Sequence, residues 1–429
     1  MTAKSAVGGW TRKGAAAGIA IFGLSVALLA GCGGDSGGPV ALKWFIAIQP
    51  GGSIQEVAET CSKQSGGKYE IELELLPTDA SQQREQLVRR LGAKDSSIDL
   101  IGMDVVWTAE FANAGWIRKW DPVDEKIVTK DVFPPVIETA TFEGDLYGAP
   151  FNTNTELLWY RKDMVPKPPE TWDEMIDMAE EIGPDEGGTV QVQASRYEGY
   201  MVWANAMIES AGAQILKSPT EVSLEEGPTT EALKPMGRLA RSSAAPPNMS
   251  TSDEDTSRLG FEGGSAFMTN YTFAYGSALE NAPDVAKQMG AARYPGVTKG
   301  VESKPPLGGF NLGVSEFSEQ PDLAFDAAKC LTAPEQQLVV TELDGLPPPR
   351  SNLYTNKKVT KAFPGFAPLV RESIESAGPR PVTPAYQDVS IAVQTALHPA
   401  DKIDLEDTKP NYDELFEDVD KGVKREGLL

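Results

Sequence analysis

Between residues 40 and 103 the chain alternates short apolar runs with segments of helical periodicity, and this alternation constrains its fold more than any other feature. Val40–Ala47 is an apolar run of the buried-strand type. Ser53-Ile-Gln-Glu56 has the form of a capping box and opens a helix that stops at Gly66-Gly67. Tyr69–Leu76 alternates as a strand does, residues 81–91 repeat Leu87, Val88 and Leu91 at helical spacing, and residues 98–103 are again apolar. Strands separated by helices pair in parallel, with helices on both faces of the sheet, so an α/β fold is expected. In such sheets ligands lie beyond the carboxyl ends of the strands, here the turns 49–52, 77–80 and 104–107.

From Leu146 to Arg161 the sequence reads Leu-Tyr-Gly-Ala-Pro-Phe-Asn-Thr-Asn-Thr-Glu-Leu-Leu-Trp-Tyr-Arg: a Gly-Ala-Pro break, then a second strand-like run, as where a chain enters another lobe. Thr171-Trp-Asp-Glu174 caps the next helix, and further helices are expected over 199–210, 228–241, 252–262, 322–331 and 412–426. Strand character returns over 304–314, and Gly345-Leu-Pro-Pro-Pro-Arg350 is another break. Breaks near 150, 305 and 342 predict two lobes joined by three crossings that act as a hinge. The expected lobes are 40–149 plus 306–342, and 150–305 plus 343–429.

The first 31 residues carry Lys4, Arg12 and Lys13, no acid, and a small-apolar stretch ending in Leu29-Ala-Gly-Cys32. This is the pattern of a secretory signal, with a hydrophobic region too short to span a bilayer comfortably. A Cys just after the small-residue site resembles the bacterial lipobox, so residues 1–31 are expected to be removed and Cys32 to carry lipid. The Gly-rich 32–39 segment reads as a tether. Cleavage takes the formal charge from −23 to −26. Such a chain repels phosphate backbones, which excludes nucleic acid as a natural partner. A single His, His398, leaves no soft ligand set for a metal site, and no cofactor is expected. Outside the cytosol, Cys61 and Cys330 either form a disulfide or remain two buried thiols.

Three further stretches occur in order: Asp104-Val-Val-Trp-Thr-Ala-Glu-Phe-Ala-Asn-Ala-Gly-Trp116, Asn154-Thr-Glu-Leu-Leu-Trp-Tyr-Arg161 and Gly345-Leu-Pro-Pro-Pro-Arg350. With the lipobox, they make the chain resemble the extracellular solute-binding proteins of sugar-importing ABC transporters. The likeness is to the trehalose/maltose branch, nearest to the trehalose-binding lipoproteins of mycobacteria and related actinobacteria. The resemblance implies a two-lobed, type II periplasmic-binding-protein-like fold with its ligand in the interlobe cleft. It implies no catalysis, a lipid-anchored monomer on the outer face of the membrane, and delivery of a disaccharide, trehalose first, to permease subunits driven by a cytoplasmic ATPase.

A neutral sugar presents hydroxyls that both donate and accept, and a face of apolar C–H bonds, so its site needs carboxylates, amides, a guanidinium and aromatic rings. The resemblance assigns Asp104 and Asn154 to the sugar, and it favours Glu262. Each has a plainer reading, as N-cap, loop amide and solvated acid respectively. Arg350, held by three prolines, is read as a hydroxyl-pairing guanidinium or an interlobe ion pair. Gly308 and Gly309 either admit the sugar close to the backbone or form a strand entry. Tyr271 is the first stacking candidate, where the family more often carries Trp, with Trp107, Tyr197 and Trp203 behind it. Gln49 is included for its place in the first turn. A maltose or other oligosaccharide-binding protein is the alternative, followed by a surface glycoside hydrolase, for which no motif singles out a carboxylate pair.

Overall fold

The computed structural model describes residues 38–77 and 79–425. The signal segment, Cys32 and most of the tether lie outside these residues. An eight-stranded sheet, the largest of three in the described residues, runs in the order Tyr69–Leu76, Val40–Ala47, Leu100–Asp104, Leu307–Val314, Gly148–Arg161, Phe267–Tyr271 and Val190–Gln191, with Met289–Ala292 also paired to Gly148–Arg161. The first three strands are parallel, as their intervening helices Ser53–Gln64 and Ala80–Gly92 require. Leu307–Val314 then runs antiparallel to Leu100–Asp104 and to Gly148–Arg161.

Gly148–Arg161 carries the chain from one side of the molecule to the other. Its first half pairs with Leu307–Val314 and its second half with Phe267–Tyr271 and Met289–Ala292. The break read at Gly148-Ala149-Pro150 is therefore absent, because all three residues lie within this strand. A proline survives there because the register slips: Phe310 pairs with Asn152 but Asn311 with Pro150, leaving Phe151 as an extra residue. A bulge of this kind tolerates a residue with no N–H to donate. The fold is the two-lobed type II arrangement, with this strand as one of the crossings.

The helix starting at Ser53 is not capped by its own Ser. Gly52 is the N-cap, in the left-handed region at φ 80°, and no side chain within the motif caps it. Instead Asp344, at the end of helix Pro334–Asp344, accepts hydrogen bonds from the backbone N–H groups of Gly51 and Ser53. A carboxylate there meets the positive end of the helix dipole and its unpaired N–H groups. Thr171 does cap its helix, accepting from Glu174 N at 3.2 Å. Cys61 and Cys330 are joined, their Cα atoms 5.8 Å apart, and so tie helices Ser53–Gln64 and Pro321–Leu331 across 269 residues of sequence.

Candidate functional site

The site is a cavity of about 360 Å³, within the range of small-molecule pockets. Two of the three strand-end turns reach it, through Asp79, Ala80 and Ser81 and through Asp104. Opposite lie Asn154, the 197–199 segment, Asp253, Glu254, Asp255, Tyr271 and Arg380, while Gly308, Gly309 and Phe310 close the floor.

Arg380 organises the charge. Its guanidinium donates to Glu198 Oε1 at 2.6 Å and to Asp104 Oδ1 at 3.2 Å, and sits 5.9 Å from the ring centre of Tyr386. Burial opposes its charge, but Tyr386, Asp104 and Glu198 hold it firmly protonated. Glu198 opens helix Glu198–Ser210 and also accepts from Ser390 Oγ at 2.7 Å and from the Tyr386 hydroxyl. Arg380 Nε is buried and has no hydrogen-bond partner among the described residues, so its N–H is free to donate. Asp104 Oδ1 also accepts from Val106 N at 3.2 Å, closing the turn after its strand. Asp104 is therefore at once a turn-former and a cavity wall.

The other acids are placed by helix starts. Asp79 accepts from Gln82 N and Asp253 from Thr256 N, both at 2.8 Å, the N-cap geometry that Asp favours. Asn270, fully buried, donates to Glu254 O and to Ser257 Oγ, both at 2.9 Å, and so pins the start of helix Glu254–Glu262 against its strand. Tyr197 folds over Gly199, where a Cβ would lie 2.1 Å from its hydroxyl. Gly309, at φ +125° and with Asn152 O 2.4 Å from where a Cβ would sit, admits no other residue without strain. A Cβ at Gly308 would meet only Asn154 and Tyr271 beyond 3.4 Å, which opens the floor of the cavity to those two side chains.

Of the residues singled out from sequence, Asp104, Asn154, Tyr197, Tyr271, Gly308 and Gly309 come together here. The other five do not. Glu262 accepts from Arg258 Nη1 at 2.8 Å and from Ser277 Oγ at 3.2 Å, joining helices Glu254–Glu262 and Phe273–Asn281. Arg350 is 4% exposed and turns inward, donating to Val128 O at 3.1 Å, Ile127 O at 3.3 Å, Thr332 O at 3.4 Å and Lys130 O. It thus serves the unpaired carbonyls where helices Pro122–Val128 and Pro321–Leu331 end, and neither reading made from the sequence describes it. Trp107 is buried and stacked on Phe111, Trp203 is buried between Trp172 and Tyr200, and the Gln49 carbonyl closes its own turn with Gly52 N. Arg380, Glu198 and Glu254 were missed. Arg380 follows Gly378-Pro379 in a stretch with no periodicity, so only the return of the chain at the isolated Pro306–Gly378 bridge brings it to the cavity.

An α/β molecule of two lobes, with a polar cavity assembled from turns on either side of its crossing strand, has the architecture of a type II binding protein. Residues 56–365 match the family described as bacterial extracellular solute-binding protein, and the chain belongs to that family. A probable ABC transporter-binding protein of Deinococcus radiodurans is 29% identical over 361 residues, 80% of this chain and 83% of that one. A maltotriose-binding protein of Pyrococcus abyssi is 29% identical over 214 residues, 48% of this chain and 44% of its own length. The structure of maltose-bound T. maritima MalE3 superposes with a TM-score of 0.78 at 26% identity, covering 90% of this chain and 99% of the other.

Proposed function

We propose that the chain is the solute-binding component of a sugar-importing ABC transporter and captures a disaccharide, trehalose in the first place, by closing its lobes. The observation that carries this reading is the chemistry of the cavity: acceptors from Asp79, Asp104, Asn154, Glu198 and Glu254, donors from Arg380, and the rings of Tyr197 and Tyr271. Carboxylates and an amide pair with hydroxyl protons, a guanidinium pairs with hydroxyl oxygens, and tyrosine rings cover C–H faces. An anionic solute finds no support, since Arg380, the one cation among the described residues that line the cavity, is already shared by two carboxylates.

The sugar-binding relatives and the maltose-bound neighbour support a sugar; trehalose rests on the three sequence stretches of its branch. The same neighbour favours maltose as the second reading. On this account Cys32 carries the lipid anchor, and the protein is a monomer that meets permease subunits at the membrane. Calorimetric titration of the mature protein against trehalose, maltose, maltotriose and cellobiose tests the sugar. Tightest binding of trehalose supports the first reading, tightest binding of maltose the second, and no heat with any of them removes both.

A further inference from the structure

Beneath the cavity lies a carboxyl that the sugar reading leaves unused. Glu156 is on the crossing strand, directly opposite Tyr271 in the register, and is 4% exposed. Among the described residues its hydrogen-bond partner is an amide: Gln193 Nε2 donates to Glu156 Oε1 at 2.8 Å. Gln193 is itself 2% exposed, and its Oε1 accepts from the Tyr197 hydroxyl at 3.4 Å. Both Tyr197 and Glu254 line the cavity, and the Glu254 carboxyl acts electrostatically on that hydroxyl. A chain of side chains, Glu156–Gln193–Tyr197, therefore links the buried carboxyl to a residue that lines the cavity.

The groups facing Glu156 from the elements around it are Tyr271 on the neighbouring strand, Tyr197 and Gln193 from the loop before helix Glu198–Ser210, Glu254 on its helix, Tyr294, and Arg380. The only cation among them is Arg380, which is committed to Asp104 and Glu198. An ionised Glu156 would be a buried charge beside a second acid with no cation of its own. We propose that Glu156, acting through Gln193 and Tyr197, is a positioning residue that couples sugar capture to retention of a proton under the cavity floor. This rests on the sugar-binding reading above.

The direction follows from solvation. Burial, reinforced by Glu254, already pushes the Glu156 carboxyl up to about 8 in the ligand-free protein. A neutral sugar displaces water from the cavity and adds no cation, so the neutral carboxyl is favoured further in the complex. Binding then takes up a proton near pH 8, and affinity falls as pH rises. For a further rise of ~1 unit on binding, linkage gives about a fivefold weaker Kd at pH 9 than at pH 7.

The test is calorimetry of the mature protein with trehalose, or with whichever disaccharide the panel selects, at pH 7, 8 and 9 in buffers of different ionisation enthalpy. Wild type is expected to take up about 0.3–0.5 proton per sugar at pH 8 and to weaken severalfold by pH 9. Glu156→Gln keeps the size and the acceptor for Gln193, so it should bind at pH 7 within about threefold of wild type, take up no proton and show a flat profile. Tyr197→Phe, which cuts the chain at a partly exposed ring, should reduce the uptake. Glu209, also pushed up to about 8 by burial, lies by Lys304 away from the cavity and serves as a control: Glu209→Gln should keep the uptake. Sugar binding with no proton uptake overturns the proposal while leaving the sugar reading intact. Uptake that persists in Glu156→Gln and vanishes in Glu254→Gln overturns it in favour of Glu254. Absence of binding to any sugar at any pH overturns the reading beneath it.

Discussion

Replacing Arg350 by Ala removes a guanidinium that donates to the carbonyls of Ile127, Val128, Lys130 and Thr332. Val128 and Thr332 are buried, so their carbonyls are left without a donor, whereas Ile127 and Lys130 lie at the surface, where water replaces the lost bonds. Two unpaired buried acceptors cost about 1–3 kcal/mol each, and the void left by the side chain adds to this. Recovery of the cost of burying the guanidinium offsets part of the loss, which leaves about 3–4 kcal/mol. For a chain of this size a loss of 1 kcal/mol lowers the unfolding midpoint by roughly 1 °C, so Arg350→Ala should melt ~3–5 °C below wild type. Sugar affinity at a temperature where both proteins are folded should stay within about twofold, because no atom of Arg350 lines the cavity. Scanning calorimetry of the ligand-free protein and isothermal titration of the same samples measure both quantities. A variant that melts with wild type but loses its sugar would show the guanidinium working in the site and would refute this reasoning.

The Cys61–Cys330 bridge closes a loop of 269 residues, so replacing both cysteines by Ser should cost about 2–5 kcal/mol in urea unfolding. Two titratable thiols in the denatured, unreduced mature protein would contradict the bond. Cys32→Ala should move the protein from the membrane fraction to the soluble fraction or leave it unprocessed; unchanged partitioning removes the lipid anchor. A raised Glu156 carboxyl favours the folded state below pH ~4.5 and loses that contribution as pH rises to about 8. Glu156→Gln should therefore gain on wild type in thermal stability between pH 6 and 9, and equal midpoints throughout would count against a buried, cation-free carboxyl.

Where local pattern decided the structure, the sequence was readable. Periodicity and burial placed the three parallel strands, and the rule that ligands sit at strand ends drew attention to Asp104 and to the turn before Ala80. Pro150 misled, because a proline that reads as a chain break is accommodated by a bulge, and a bulge depends on the partner strand 160 residues away. Arg350 misled for a related reason. Three prolines fix its backbone, but its direction is set by helix ends contributed from residues 127–130 and 332, which no local motif announces. Arg380 is the same problem reversed: nothing near it in sequence signals chemistry, and only the folded chain sets it between Asp104 and Glu198. Glu262 was favoured by the family resemblance, yet its helix turns it toward Arg258 and Ser277.

The central claim is that a sugar is held in the cavity at the strand ends, and two single substitutions titrated side by side test it most directly. Asp104→Ala removes a cavity carboxylate and frees Arg380 from one of its partners, whereas Glu262→Ala removes a carboxylate that pairs with Arg258 and Ser277 outside the cavity lining. Loss of a charged hydrogen-bond partner in a closed cleft costs about 2–4 kcal/mol, so Asp104→Ala should bind trehalose at least ~30-fold more weakly than wild type. Glu262→Ala should bind within about threefold of wild type. The opposite order, with Asp104→Ala unaffected and Glu262→Ala crippled, would place the sugar elsewhere and contradict the account.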